Sequence, residues 1–115
     1  MTDQAKKDLR IKTGSCSRLL KEYLSYFKEE VQEQERYNKM KEDGVEEQKL
    51  KQQKTVLDET SQMIPYCKNK VQGAYKELKA LVEQLSGQAD VEQLEEFTAA
   101  QQLLSEIESQ DIMLQ

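Results

Sequence analysis

The chain has 115 residues, 37% hydrophobic and 34% charged, with a net charge of −5, four Gly, one Pro, no His and no Trp. So few Gly and Pro cannot supply the turns of a β-sandwich, and no apolar run approaches the roughly 20 residues of a membrane span or the 7–15 of a signal peptide. The abundance of Ala, Glu, Lys, Leu and Gln is that of long helices, and the low apolar share fits a narrow, elongated core.

Asp43-Gly44 and Ser86-Gly87 punctuate the chain. They divide it into three helices near 3–42, 45–86 and 90–109, within one domain spanning residues 1–115. Short connections make neighbours antiparallel, so the expected fold is an all-α, up-down-up bundle of two long helices and one shorter helix. The first helix carries Leu9, Cys16, Leu20, Tyr23, Phe27 and Val31, widened by Leu19 and Leu24, and thins to Tyr37 and Met40. Glu46 and Glu47 open the second, where the helix dipole favours acids. Leu57, Thr60, Ile64, Cys67, Val71, Ala74, Leu78, Leu81 and Leu85 then alternate 3-4 in strict order, with Tyr75 and Val82 widening the stripe. Pro65 interrupts nothing in this pattern, so a kink is expected there rather than a break. In the third helix Asp90 and Gln93 read as an N-cap and capping box ahead of Leu94, Phe97, Ala100, Leu104, Ile107 and Leu114. Residues from about Gln110 are expected to fray, with Ile112 and Leu114 the two that could prolong the stripe.

Folding at Gly44 sets residue i opposite roughly 88 − i, and folding at Gly87–Asp90 sets residue j opposite roughly 175 − j, which brings Asp111 near Ile64. A third helix of about 33 Å cannot cover helices of about 60 Å. It should cover residues 3–24 and 64–85, where the stripes are wide, and leave 28–60 uncovered. The expected core is Leu20, Tyr23, Phe27, Ile64, Cys67, Val71, Leu78, Leu81, Phe97, Leu104 and Ile107.

Catalytic chemistry has little to work with. Without His there is no imidazole base or ligand, and neither Cys16 nor Cys67 has a His partner. Both cysteines fall in apolar stripes and read as small buried hydrophobes in a reducing, cytoplasmic setting. Lys12-Thr13-Gly14-Ser15 lacks the spaced glycines of a phosphate loop. The pairs Glu29-Glu30, Glu46-Glu47 and Glu95-Glu96 read as solvated faces. No enzyme, metal or cofactor is expected. An acidic chain argues against nucleic acid, and so thin a bundle offers no pocket for a small-molecule substrate. The charge is uneven: residues 87–115 hold seven acids and no base, whereas residues 1–28 hold seven bases against three acids, so the last segment is expected beside the first. A protein partner is the remaining reading. Tyr26 and Tyr66 leave the seam near Pro65, with Met63 beside them and Lys28, Glu29, Glu59 and Lys68 as a mixed-charge rim. A structural coiled-coil module or homodimer is the alternative.

Ile11-Lys12-Thr13-Gly14 with Arg18-Leu19 and Lys21-Glu22, Tyr26 with Lys28-Glu29, and Met40 with Glu42-Asp43-Gly44 resemble the first helix and turn of the tubulin-binding cofactor A family. Leu50-Lys51-Gln52-Gln53, Val56-Leu57, Met63-Ile64-Pro65 with Cys67, and Ala74-Tyr75 with Leu78 resemble its second helix. Glu95-Glu96, Ala99 and Leu103-Leu104 match the third more loosely. The family's usual basic residue near Ser61-Gln62 and its acid at Tyr66 are absent, and Val45 to Lys49 replace its usual Pro-Tyr-Asp opening of the second helix. The resemblance implies a three-helix bundle that captures β-tubulin released from the cytosolic chaperonin. It would hold β-tubulin until another tubulin-folding cofactor takes it toward the αβ heterodimer, with no nucleotide or metal. The expected location is cytoplasmic and cytoskeleton-associated.

Overall fold

The computed structural model describes residues 2–113 and is helical, with no strand among the described residues. Four helices follow in order: α1 Thr2–Glu42, α2 Glu47–Leu85, α3 Ala89–Glu92 and α4 Glu95–Ser109. Asp3 in the first turn of α1 and Lys39 and Lys41 in its last turn complement the helix dipole. The helix stops at Gly44, whose φ of 71° is open to glycine at little cost. There the Val45 N–H donates to the Met40 carbonyl (3.1 Å) and the Gly44 N–H to the Lys41 carbonyl (3.3 Å), a Schellman closure of the last turn. The Glu46 carbonyl receives the Leu50 N–H at 3.1 Å to start α2, which then runs unbroken through Pro65.

The third segment differs from the sequence pattern. One helix near 90–109 was expected, but Leu94 is extended (φ −72°, ψ 142°) and separates α3 from α4. Val91 and Phe97 are 1% and 3% exposed. Six residues apart on one straight helix, they would point about 120° from each other; the break lets both turn inward. Asp90 is not the N-cap: Gln88 takes that place without a side-chain bond. Asp90 Oδ2 instead accepts from Thr2 Oγ1 at 2.9 Å, and Glu92 Oε2 accepts from the Gly87 N–H at 2.7 Å.

The chain forms two compact units. The first comprises residues up to Lys21 and from Asn69 onward; the second is Glu22–Lys68. In the first unit, Leu9 and Cys16 of α1, Val71 and Leu78 of α2, Val91 and Ile107 are almost wholly removed from solvent. Phe97, Ala100, Leu103 and Leu104 complete the buried face of α4. Leu81, expected in the core, is half-buried, while Tyr75 and Val82 are buried. A third helix lying on one side of α2 displaces the buried stripe toward that side. Helix α4 thus belongs to the unit with residues 2–21 and 69–85, and not with 28–60.

The first hairpin register agrees with the sequence pattern: Lys12 pairs with Glu77, Glu30 with Ser61, and Glu33 with Gln53. The second is shifted. The sequence pattern set residue 67 opposite Glu108; the structure sets Tyr75 there, its hydroxyl donating to the Glu108 carboxylate. The chain consumed by α3 and the turn at Leu94 accounts for the shift. Nor do the described residues from Gln110 to Met113 fray. Ile112 is 1% exposed and its carbonyl accepts from Gln72 Nε2 at 2.8 Å, while Asp111 turns the backbone at φ 57°. Leu114 lies outside the described residues.

The second unit is a helix pair without a third helix. Tyr23, Gln53, Leu57 and Cys67 are its buried side chains. Phe27, expected in the core, is 41% exposed and stands edge-on to Tyr23 with ring centroids 5.0 Å apart. Ile64 is half-buried. Two helices alone enclose even their seam positions from one side only, so Phe27 and Ile64 keep contact with solvent.

Candidate functional site

All eight residues singled out as a partner surface lie in the second unit. Helical spacing sorts them onto two flanks of its seam. On α1 the seam runs Tyr23, Phe27, Glu30, Gln34, Tyr37; on α2 it runs Gln53, Leu57, Thr60, Ile64, Cys67. In an antiparallel pair, the positions just after the seam on both helices share one flank, and those just before it share the other. Tyr26 and Glu29 of α1 and Glu59, Met63 and Tyr66 of α2 therefore share one flank. Lys28 of α1 and Pro65 and Lys68 of α2 fall on the opposite flank.

The first of these flanks holds the aromatic surface. Tyr66 is 52% exposed, Tyr26 and Met63 are half-buried, and Glu29 and Glu59 are exposed. Val56, also exposed, belongs to the same flank and was not singled out from the sequence. It lies seven residues before Met63, and that interval is the signal that would have found it.

On the opposite flank Lys28 and Pro65 are exposed and Lys68 half-buried. The same flank carries an open groove of about 340 Å³, lined by Glu30, Val31, Gln34 and Glu35 of α1 and Lys54, Leu57, Asp58 and Ser61 of α2. Val31 and Leu57 form its apolar part. Ser61 Oγ donates to Glu30 Oε2 at 2.6 Å, and Lys54 Nζ lies 3.4 Å from Asp58 Oδ1. Toward the hairpin turn a second hollow of about 500 Å³ is lined by Tyr37, Leu50, Lys51, Lys54 and Thr55 with Glu47. Sequence reasoning left residues 28–60 uncovered but missed the groove because it counted Val31, which is 57% exposed, with the seam.

Among the described residues no group of His, Cys, Asp and Glu is arranged to hold a metal ion, and no helix is long and apolar enough to cross a membrane. Burial pushes the Cys16 thiol up to about 11, which keeps it protonated and unreactive at neutral pH. Tyr75 is raised to about 12 by burial, then by its hydrogen bond to Glu108 and the negative charges of Glu108 and Glu83. Tyr23 is raised by burial. All three serve packing.

Residues 4–104 match the sequence family described as tubulin binding cofactor A. The chain is 35% identical over 107 residues to tubulin-specific chaperone A of Rattus norvegicus, which covers 93% of this chain and 96% of that protein. Among solved structures it is similar to tubulin folding cofactor A from Arabidopsis thaliana, with a TM-score of 0.77 and 32% identity over 92% of this chain and 97% of that one. It is also similar to human tubulin chaperone cofactor A, with a TM-score of 0.74 and 33% identity over 90% and 98%.

Proposed function

The chain belongs to the tubulin binding cofactor A family, and from that premise we propose that it is a tubulin-folding chaperone whose client is β-tubulin. It takes β-tubulin after release from the cytosolic chaperonin, holds it, and yields it to another tubulin-folding cofactor for assembly into the αβ heterodimer. The work is done in the cytoplasm, in association with the cytoskeleton, and by surface contact alone. The observation that carries this reading is the family match across residues 4–104. The second unit supports it, because its helix pair leaves aromatic and aliphatic side chains in solvent, and a partner surface needs such side chains.

Tyr66, Tyr26 and Met63, rimmed by Glu59 and Glu29, are the contacts we assign to β-tubulin on one flank, with Lys28, Pro65 and Lys68 contributing from the other. The test is direct binding of purified β-tubulin, followed by gel filtration and by titration. A stable complex is expected, and Tyr66→Ala or Tyr26→Ala should weaken it by about 1–2 kcal/mol with helicity unchanged. A chain that forms no complex with β-tubulin refutes the function. A parent complex that both alanine variants hold equally tightly refutes the aromatic contacts alone.

A further inference from the structure

The first unit shows what covers one flank of such a helix pair. There Arg10 of α1 pairs with Glu96 of α4 at 3.6 Å, the Tyr75 hydroxyl of α2 donates to Glu108 of α4, and Gln72 of α2 donates to the Ile112 carbonyl. In the 3-4 repeat these positions recur at whole multiples of seven. Leu24 and Val31 stand 14 and 21 residues from Arg10. Ser61 and Lys54 stand 14 and 21 residues from Tyr75, and Asp58 stands 14 from Gln72. The groove of the second unit is therefore the counterpart, within that unit, of the surface that α4 occupies in the first. No helix of the second unit lies over it, and Leu24, Phe27 and Val31 are left 36%, 41% and 57% exposed.

Charge states what kind of helix fits. Beneath α4, residues 2–21 are basic, with Lys6, Lys7, Arg10, Lys12, Arg18 and Lys21 against Asp3 and Asp8. The segment that covers them, residues 87–115, has seven acids and no base. In the groove of the second unit the sign is reversed. Glu30, Glu35 and Asp58 line it with Lys54 as the single base, and Lys54 is engaged by Asp58. Glu30 accepts only the Ser61 hydroxyl, and Glu35 has no ion pair among the described residues. Lys28 stands at the Leu24 end of the stripe, and toward the hairpin turn Lys51 pairs with Glu47 at 4.0 Å, so the unbalanced negative charge of the groove is that of Glu30 and Glu35.

We propose that this groove receives an amphipathic helix of the bound tubulin, lying over the second unit as α4 lies over the first. Its apolar stripe rests on Leu24, Phe27, Val31 and Leu57, and Lys or Arg at its edge meets Glu30 and Glu35. The mode is that of a helix in a groove, with apolar anchors for affinity and rim charge for orientation. The proposal rests on the reading of the chain as a tubulin-folding chaperone.

The experiment compares the parent chain with Val31→Glu, Glu35→Lys and the control Ile11→Glu, an exposed site in the first unit. Purified β-tubulin is titrated against each at two salt concentrations. Val31→Glu should weaken binding by about ten-fold or more, as expected for a charge placed under an apolar anchor. Glu35→Lys should weaken it several-fold and flatten its salt dependence, and Ile11→Glu should bind as the parent does. Overlapping peptides of β-tubulin are then mixed with the parent and followed by circular dichroism. One peptide with basic and apolar positions at helical spacing should gain helicity, and Val31→Glu should abolish the gain. If Val31→Glu loses helicity by itself, Glu35→Lys decides. Parent affinity retained by the variants, or no peptide gaining helicity, overturns the groove proposal while leaving the function intact. Failure of the parent to bind β-tubulin overturns both.

Discussion

Leu78→Ala is the sharpest test of the first unit. Leu78 is 0% exposed, as are Leu9, Val71 and Ile107 of the same unit. The substitution removes three carbons, worth about 2.4 kcal/mol at about 0.8 kcal/mol each. Three helices fix the walls, so the site collapses only in part. A residual cavity of about 40 Å³ adds about 1 kcal/mol at roughly 24 cal/mol per Å³. The expected loss is thus about 3–4 kcal/mol, a large share of the roughly 5–15 kcal/mol that holds a domain of this size. Val31→Ala is the matched control. It removes two carbons from a side chain that is 57% exposed. The retained burial is worth about 0.7 kcal/mol, and the better helix propensity of Ala offsets much of that. Urea unfolding followed by far-ultraviolet circular dichroism measures both, with the slope of the transition checked for constancy. A loss below about 1 kcal/mol for Leu78→Ala, or above about 1.5 kcal/mol for Val31→Ala, refutes the division between a covered core and an open flank.

Gly73 is an exposed helix-interior residue, and an added Cβ meets nothing within 4 Å. Gly73→Ala should raise stability by about 0.5–1 kcal/mol, seen as a higher melting temperature. The Thr13 hydroxyl is buried without a hydrogen-bond partner among the described residues. Thr13→Val keeps the shape and removes the orphaned oxygen, so urea unfolding should show a gain of about 1 kcal/mol, and a loss would mean that the hydroxyl has a partner. Burial raises Tyr75 to about 12 and Cys16 to about 11, above their ordinary values of 10.0 and 9.0. Their contribution to stability is complete below the unfolded values and is lost as pH rises through the folded ones. Melting temperature should therefore fall between about pH 9 and 12, and Tyr75→Phe should flatten the upper part of that fall.

The two long helices were legible because their signals are local and redundant. The 3-4 alternation through Leu57, Cys67, Val71, Leu78 and Leu85 survives in the structure, and Gly44 closes α1 where the chain offers its first turn. Those two features also set the first hairpin register. The break at Leu94 had no local signal. Residues 90–109 contain no Gly or Pro, and only the simultaneous burial of Val91 and Phe97 requires the chain to turn there. The missed register of the second hairpin follows from that one event, because α3 consumes residues that a single helix would have used to run back. Leu81 is only half-buried for a related reason, while Val82, expected to widen the stripe, is buried. A strict alternation describes one neighbour, and a second neighbour on the flank rewards the next position instead.

The same physics explains why the candidate site was only half visible. Tyr26 and Tyr66 were found because aromatics off a seam are conspicuous in the sequence, whereas Leu24 and Val31 read as parts of the buried stripe even though residues 28–60 were expected to be uncovered. Polar groups supply the remaining clue. In the second unit Gln53 is buried and donates to Glu33 Oε2 at 2.6 Å, and Ser61 donates to Glu30. Such bonds to carboxylates fix which residues face each other and add about 1.5–3 kcal/mol each, no more than an apolar side chain buried in the same place. The first unit instead fills its interior with Leu, Val, Ile and Phe from all its helices. Apolar side chains withheld from the seam of the second unit are thereby left in solvent. A helix pair held in register by polar bonds, with Leu24, Phe27, Val31, Val56 and Tyr66 left in solvent, presents a surface and gains most when something covers it.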